Sequence, residues 1–387
     1  NTMPGWAGSS QYFNRYMDSK NDKAIYSKEA IEYWEDVDLY IGGSEHATGH
    51  LLYSRFWQKF LFDMGIAPKD EFAKKLINQG MITGTSAFVY RLAGTNSYLS
   101  NGLIESEEVD SIHVDVSLIS ASDELDMEAH KERQPEFRDA ELILEDCKYI
   151  VGREIEKMSK RWFNVVNPDA ICEEYGADSL RLYEMFLGPL EQSKPWNTAG
   201  ITGVHSFLKK LWRLYHTGPN GEFYVTDSPP LEGQGEALKS LHKTIKKVEE
   251  DIKNFSFNTS VSTFMICVNE LTSQKCSSKA ILESLAILVS PYAPHIAEEL
   301  WEKLGHKESI AEAPFPKFQE KYVVESSKEY PISFNGKMRF TMKLPLDMGK
   351  DEIEAAVMGH EKTQAQLQGR TPKKVIVVPG KIVNIVG

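Results

Sequence analysis

Apolar residues recur three and four apart through much of the second half of the chain. Phe207, Leu208, Leu211, Trp212 and Tyr215 form one stripe, Leu238, Leu241, Ile245, Val248 and Ile252 a second, and Val261, Phe264, Met265, Val268 and Leu271 a third. Ile281 to Val289 then leads through Pro291-Tyr292-Ala293-Pro294-His295 into a helical stretch at Glu298-Glu299-Leu300-Trp301. Such stripes predict an antiparallel helix bundle, with the Met and aromatic members as core. Lys239, Lys243, Lys246 and Lys247 give one helix a basic side, open to two readings: phosphate contact or a solvated face. Pro314-Phe315-Pro316 marks a linker. Beyond it the period falls to two. Ile332 and Phe334 alternate, Asn335-Gly336 is a hairpin turn, and Met338, Phe340, Met342 and Leu344 alternate again. A helix from Asp351 to about Leu367 and a second hairpin, Val375–Val378 with Ile382–Val386 around Pro379-Gly380, complete a small α/β domain.

The first half reads differently. Thr2 to Ser10 is loop-like and rich in small residues, and Tyr12, Phe13, Tyr16 and Met17 begin a helical pattern. Val37-Asp38-Leu39-Tyr40-Ile41 reads as a buried strand, followed by Gly42-Gly43 and a helix through Leu51, Leu52, Phe56, Phe60 and Leu61. Residues 69–83 suit a helix and then a strand. Ile112, Val114, Val116 and Leu118 alternate with polar residues as a half-buried strand. Tyr149-Ile150-Val151 is a short β-like run before a turn at Gly152, and 168–190 suit a helix ending near Gly188-Pro189.

Charge alters this picture at one place. The 387 residues carry a net charge of −12, which argues against a nucleic-acid partner until its distribution is read. Residues 101–146 hold 15 acidic and 3 basic residues, leaving 41 of each elsewhere, so the remainder can still present basic faces. Residues 328–387 hold 10 basic and 6 acidic residues, a mildly basic end. Hydrophobic content of 41% and charged content of 26% describe a soluble globular chain, and no apolar run approaches the roughly 20 residues that span a bilayer. No signal peptide is visible. Cys147, Cys172, Cys267 and Cys276 stand in four unrelated contexts without a C-x-x-C, which suits a reducing cytoplasm and suggests neither zinc nor a disulfide framework.

Two stretches carry chemistry. In Glu156-Lys157-Met158-Ser159-Lys160-Arg161, two lysines three apart in one loop can both reach one polyanion, and compact charges on flexible stems can follow a phosphate that moves during reaction. A solvated basic turn is the plainer reading of a lone K-x-x-K. In Gly42-Gly43-Ser44-Glu45-His46-Ala47, a glycine turn after a strand permits close backbone approach to a base or ribose, at the position where α/β sheets present ligands. A carboxylate such as Glu45 can accept from ribose hydroxyls. His46 and His50 share a face if the helix begins this early, and a zinc pair is the competing reading of that spacing.

Lys157-Met158-Ser159-Lys160, with Asn164-Val165-Val166 and Tyr175-Gly176-Ala177-Asp178-Ser179-Leu180-Arg181 after it, resembles the signature loop of the class I aminoacyl-tRNA synthetases and its continuation. Arg161 stands where the family pattern ends in Ser. Gly42 to Ala47 and the Trp6-Ala7-Gly8-Ser9-Ser10 opening resemble the leucyl branch of that family, of the bacterial type, and Gln11 stands where Trp is common. The resemblance covers nearly the whole chain. The family's His-x-Gly-His has no true copy: Ala47-Thr48-Gly49-His50 and Val357-Met358-Gly359-His360 both lack the leading His. The inserted editing domain is not seen either, so the chain is expected to be the C-terminal portion of a longer enzyme, inactive alone.

The resemblance implies a multidomain α/β plus all-α protein. Residues 1–83 would be the second half of a Rossmann-type catalytic domain, 84–148 an acidic leucine-specific-like insertion, and 149–190 the lysine loop and its connection. Residues 191–313 would be an anticodon-type tRNA-binding bundle, 314–327 a linker, and 328–387 a small tRNA-binding domain. It implies Lys157 and Lys160 as catalytic residues. Gly42, Gly43, Glu45, His46, His50, Met158, Ser159 and Lys160 would bind ATP or adenylate, and Trp6, Ser9, Tyr12 and His46 would line a leucine pocket. ATP would be a substrate arriving with Mg2+, with no dedicated metal site. Leucine and leucine tRNA would be the other partners, no membrane is expected, and the full-length enzyme would be a monomer. The rival readings are a class I enzyme for valine, isoleucine or methionine, and a non-catalytic tRNA-binding module.

Overall fold

The computed structural model describes residues 5–218, 220–227, 235–323, 327–346 and 348–387. Thr2-Met3-Pro4 of the opening lies outside them. By its internal contacts the chain divides into a larger unit, residues 1–231 with 244–316, and a smaller one, 232–243 with 317–387.

The larger unit opens with three short helices, α1 (Gly5–Ser9), α2 (Tyr12–Tyr16) and α3 (Lys28–Trp34), the last capped by the Ser27 side chain, which accepts from the Ala30 amide. Strand β1 (Tyr40–Gly43) leads through a 3-10 turn, Ser44–His46, and a π-helical turn, Ala47–Leu51, into α4 (Leu52–Asp63). Strand β2 (Leu76–Gln79) then lies parallel to β1, with Gly43 opposite Gln79. The structure corrects two expectations here. Leu39 and Ile41 are exposed, so the 37–41 strand is not buried, and residues 69–75 form no helix before β2. Extended chain wins there because the Val37 amide donates to Phe72 O and the Lys74 amide donates to Val37 O.

The long strand β3 (Ile82–Leu92) is the hub of a six-stranded sheet and runs unbroken through the boundary expected at 83/84. Its outer half pairs antiparallel with β4 (Ser97–Leu99) and β5 (Val109–Val114). The alternation expected to continue through Leu118 stops at Val114, where Asp115 caps a 3-10 turn by accepting from the Ser117 amide. Helix α5 (Met127–Arg133) and β6 (Glu141–Ile143) follow. Strand β7 (Gly152–Lys157) pairs antiparallel with the inner half of β3, and β8 (Lys194–Pro195) lies parallel to its first residues. Gly152 therefore starts a strand and is not a turn. A Cβ there would meet the Tyr90 hydroxyl at 1.7 Å, so only glycine lets β7 lie this close. Ala87, Val89, Val114, Phe137, Tyr149 and Val151 form the core of this layer.

The helix expected over 168–190 is two: α6 (Pro168–Tyr175) and α7 (Ala177–Phe186), broken at Gly176, whose φ of 88° a side chain would disfavour. Long helices α8 (Thr198–Tyr215), α9 (Gly235–Lys253), α10 (Phe257–Ser273), α11 (Lys279–Val289) and α12 (Pro294–Lys303) follow. Val204, Leu211, Val248, Phe264, Leu271, Ile281 and Leu285 are buried, as their 3.6-residue spacing predicts.

In the smaller unit, β9 (Ser327–Phe334), β10 (Lys337–Pro345), β11 (Lys374–Val378) and β12 (Ile382–Val386) form a sheet in the order β10-β9-β12-β11. Both hairpins fall where the turn residues predict. The helix expected from Asp351 to Leu367 is again two, α13 (Lys350–Gly359) and α14 (Glu361–Leu367), because His360 leaves helical geometry to cap the second. Tyr330, Ile332, Ile353, Val357 and Val383 fill the core. Among the described residues no helix is long and apolar enough to cross a membrane.

Candidate functional site

The parallel pair β1 and β2 ends at Gly43 and Gln79, side by side, and β3 begins three residues later. The antiparallel register of β7 puts Lys157 opposite Thr83, at that same end of β3. Gly43, Gln79, Gly80, Met81, Ile82, Lys157 and Met158 therefore line one cleft of about 310 Å3. Two motifs separated by more than a hundred residues meet because both sit at strand ends. The floor is fixed from behind. The Gly80 amide donates to Leu190 O at 2.9 Å, Met81 N donates to Ser193 Oγ at 3.1 Å, and a Cβ on Gly80 would strike the Gln192 carbonyl carbon at 2.1 Å. Gly42 has nothing within 4 Å of such a Cβ, which leaves open space beside the strand.

The lysine loop owes its shape to Asn164, which is 1% exposed. Its Oδ1 accepts from Ser159 N at 2.8 Å, and its Nδ2 donates to Lys157 O at 3.2 Å and to Ser86 Oγ at 2.9 Å. One buried amide thus pins the loop to itself and to β3. Ser159 Oγ accepts from Arg161 N, starting the 3-10 turn Lys160–Trp162. Lys157 and Lys160 are exposed, and Met158 and Ser159 half-buried. Lys160 lies on the turn and does not line the cleft. Arg161, in the position expected of Ser, sits with its guanidinium 5.0 Å from the Trp162 ring centroid.

The acidic segment reaches this loop. His113 of β5 hydrogen-bonds Glu156 of β7, Nε2 to Oε2, at 2.8 Å, stacks on Trp162 at 4.3 Å, and meets Phe88 at 4.4 Å. Val116 N donates to Phe163 O at 3.1 Å. The bonds from Ser86 and His113 hold the Glu156 carboxyl below the usual range. Sequence reading singled out neither Asn164 nor His113 as a site residue.

The histidine motif forms a second cluster. Tyr12 donates its hydroxyl proton to Tyr40 Oη at 2.9 Å, and Tyr40 Oη lies 2.6 Å from His50 Nε2. The His46 and His50 rings stand 6.4 Å apart, edge to face. His50 lies on a π-helical turn, residues 47–51, whose wider winding is a local irregularity common at functional sites. The Trp6 ring lies against that turn, 3.2 Å from where a Cβ on Gly49 would be. Ser9 is placed apart from the histidines in its bonding, donating to Trp6 O. Burial, then the neighbouring His46, lowers the His50 pKa, and burial raises that of Tyr40. The Glu45 side chain lies outside the described residues, although its backbone is placed in the 3-10 turn. Tyr40 went unnoticed in the sequence because it reads as one more strand residue.

Asp178, from the Gly-Ala-Asp-Ser-Leu-Arg stretch, has a structural place. Its carboxylate accepts from His295 N, His295 Nδ1 and Ile296 N at 3.2, 2.8 and 2.7 Å, capping the first turn of α12.

A glycine turn and a lysine loop meet across the ends of parallel strands, ahead of a helix bundle, the arrangement that the resemblance to class I aminoacyl-tRNA synthetases implies. The comparisons narrow this. The family described as the anticodon-binding domain of tRNA ligase matches residues 234–354. Over its whole length the chain is 68% identical to a leucine--tRNA ligase of Christiangramia forsetii and 66% identical to that of Flavobacterium johnsoniae, covering 40% of each. A solved structure of LeuRS from Agrobacterium radiobacter K84, in ternary complex with tRNA and LeuAMS, matches the whole chain and 41% of its own, with a TM-score of 0.61 at 26% identity. Along its whole length the chain is similar to leucine--tRNA ligases, and it spans about 40% of the length of the curated relatives it matches.

Proposed function

We propose that this chain is the C-terminal portion of a leucine--tRNA ligase, which activates leucine with ATP to leucyl-adenylate and passes leucine to its tRNA. In this reading β1, α4 and β2 belong to the second half of a Rossmann-type catalytic domain, and residues 84–148 are an insertion on it. The bundle and the smaller unit bind tRNA. The observation that carries the reading is the single cleft shared by Gly43, Gln79–Ile82, Lys157 and Met158.

The chemistry follows from what such a cleft can hold. The leucine carboxylate attacks the α-phosphorus of ATP, the bond from that phosphorus to the bridging oxygen breaks, and pyrophosphate leaves with the electron pair. No protein nucleophile is required, so catalysis rests on positioning and charge stabilisation. Gly42, with open space beside it, and Gly43, at the cleft, lie along adenosine, and Glu45 is assigned to the ribose hydroxyls. Lys157 at the cleft and Lys160 on the adjoining turn neutralise the departing pyrophosphate, with Met158 and Ser159 shaping the loop between them. Trp6, Ser9, Tyr12 and His46 face the leucine side chain, and His46 and His50 border the adenylate. Mg2+ would arrive with ATP and offset the charge of its phosphates, and the full-length enzyme works as a monomer.

Two measurements test this. Calorimetric titration of the chain with a leucyl-adenylate analogue should show binding, and leucine tRNA should bind with an affinity that falls steeply as salt rises. In the full-length enzyme, Lys160→Ala should slow leucine activation by roughly two orders of magnitude while leaving leucine affinity nearly unchanged. Unaltered activation kinetics would remove Lys160 from the reaction. Binding of tRNA without the adenylate analogue would instead support a non-catalytic tRNA-binding module. Preference of the full-length enzyme for valine, isoleucine or methionine in amino-acid-dependent pyrophosphate exchange would replace the leucine reading.

A further inference from the structure

We propose that Tyr40 is a positioning residue that fixes His50 as the neutral tautomer protonated on Nδ1, leaving that N–H as the only ring donor offered to a bound acyl adenylate. The argument is a directional hydrogen-bond chain. Tyr12 donates to the Tyr40 oxygen at 2.9 Å, which occupies an acceptor site on Tyr40. The Tyr40 proton then has one described partner, His50 Nε2, at 2.6 Å. If His50 instead carried its proton on Nε2, the Tyr40 oxygen would accept twice and its own proton would be left without a described partner at a half-buried site, an unfavourable arrangement. Nε2 is therefore the acceptor, and the proton of the neutral ring sits on Nδ1.

The surroundings keep the arrangement rigid and uncharged. The Tyr40 ring is wedged edge-on against Phe13 and Phe72, at 6.2 and 5.1 Å, and is held by strand β1, so its hydroxyl has little room to swing. His50 lies roughly parallel to Tyr40 and to Tyr12, at 5.9 and 6.2 Å. The titratable groups meeting the ring among the described residues are Tyr12 from α2, Tyr40 from β1 and His46 from the 3-10 turn, none of them an anion at neutral pH. Burial and His46 both disfavour an imidazolium. A neutral donor suits an acceptor oxygen of the adenylate, a carbonyl or a phosphate oxygen, without introducing a cation beside an apolar amino-acid side chain. The tautomer follows from the direction of the hydrogen-bond chain; its use toward an adenylate rests on the proposed function.

The two parts are separable by experiment. Long-range 1H–15N correlation spectra of the chain, with His50 assigned through His50→Gln, should show the Nδ1–H pattern. Tyr12→Phe should keep it, because the Tyr40 donor survives. Tyr40→Phe, which retains the ring and its packing, should give a mixture of tautomers. An Nε2–H pattern in the parent chain, or an unchanged pattern in Tyr40→Phe, overturns the assignment. Calorimetry with a leucyl-adenylate analogue should then show Tyr40→Phe binding roughly five- to tenfold more weakly, the loss of one well-placed hydrogen bond. Equal affinity overturns the positioning role while leaving the adenylate reading intact. Absence of binding by the parent chain refutes the adenylate reading, and the ligand-facing half of this proposal with it, whatever the tautomer.

Discussion

The β1-α4-β2 segment and the bundle helix α10 are both rich in aromatic and aliphatic residues, and they use them in opposite ways. In α10, Val261, Phe264, Val268 and Leu271 are all buried. In α4 the buried residues are Ser54, Gln58 and Leu61, while Leu52, Tyr53, Phe60 and Phe62 are exposed and Phe56 is 67% exposed. The polar residues turned inward on α4 are bonded. Ser54 Oγ donates to His50 O at 2.8 Å, and Gln58 accepts from Asn14 and donates to Lys69 O. Periodicity therefore locates a stripe on either helix, but what covers the stripe is decided elsewhere. Several large apolar residues exposed on one helix mark a surface of interaction rather than ordinary solvent exposure.

The sharpest way to break that contrast is a pair of matched truncations. Phe264→Ala removes a fully buried ring and should cost about 3–5 kcal/mol in denaturant unfolding followed by tryptophan fluorescence. Phe56→Ala removes a ring already in water and should change stability by less than about 0.5 kcal/mol. Similar losses from the two would mean that the α4 face is covered in solution.

A smaller effect tests what closes the bundle at its end. Asp178→Ala removes the acceptor of three hydrogen bonds at the start of α12 and should destabilise by about 1–2 kcal/mol, with faster amide exchange at His295 and Ile296. Exchange there at the parent rate would show that α12 is held by packing alone. On the sheet side, Asn164→Ala strips both anchors from the lysine loop. It should cost about 1–3 kcal/mol and raise the exchange rate of the Ser159 amide above that of the neighbouring β7 amides. A protected Ser159 amide in that variant would shift the anchoring of the loop to the Trp162–His113 stack.

These cases mark how far the sequence could be read. Val261 to Leu271 told their own story, because a closed bundle core leaves the 3.6-residue signal undisturbed. Lys157 and the Gly42-Gly43 pair were legible as local chemistry. Their meeting at one cleft was not, since it depends on the register of β7 on β3 and of β1 on β2. Extended segments gave poorer signals. Residues 69–75 looked helical from Phe72, Leu76 and Ile77, yet long-range backbone bonds to Val37 hold them extended. Tyr40 and Asn164 were invisible as site residues for a related reason. Tyr40 bonds Tyr12 and His50, and Asn164 ties its own loop to Ser86 of β3; a Tyr in a strand or an Asn in a loop carries no local mark of such bonds.

The last prediction returns to α4, whose exposed side must be held by something other than burial. Arg55 and Lys59, one turn apart, both pair with Glu71, Arg55 Nε at 2.9 Å and Lys59 Nζ at 3.0 Å from its oxygens. The Arg55 bond, and then Lys59, hold the Glu71 carboxyl at about 2, against the opposing effect of partial burial. A carboxyl whose folded pKa is depressed contributes stability that is fully present above its unfolded value, about 4.3, and is lost as pH falls through the folded value. The stability gap between the parent chain and Glu71→Gln should therefore be steady from pH 7 to about 5 and close as pH falls toward 2. The Glu71 side chain is 39% exposed and solvent screens the pair, so the gap should be no more than a few tenths of a kcal/mol, shrinking further in high salt. A gap that persists at pH 2 would mean that Glu71 acts on α4 by shape and hydrogen bonding rather than by charge. The helix would then resemble those of the bundle more than its exposed rings suggest.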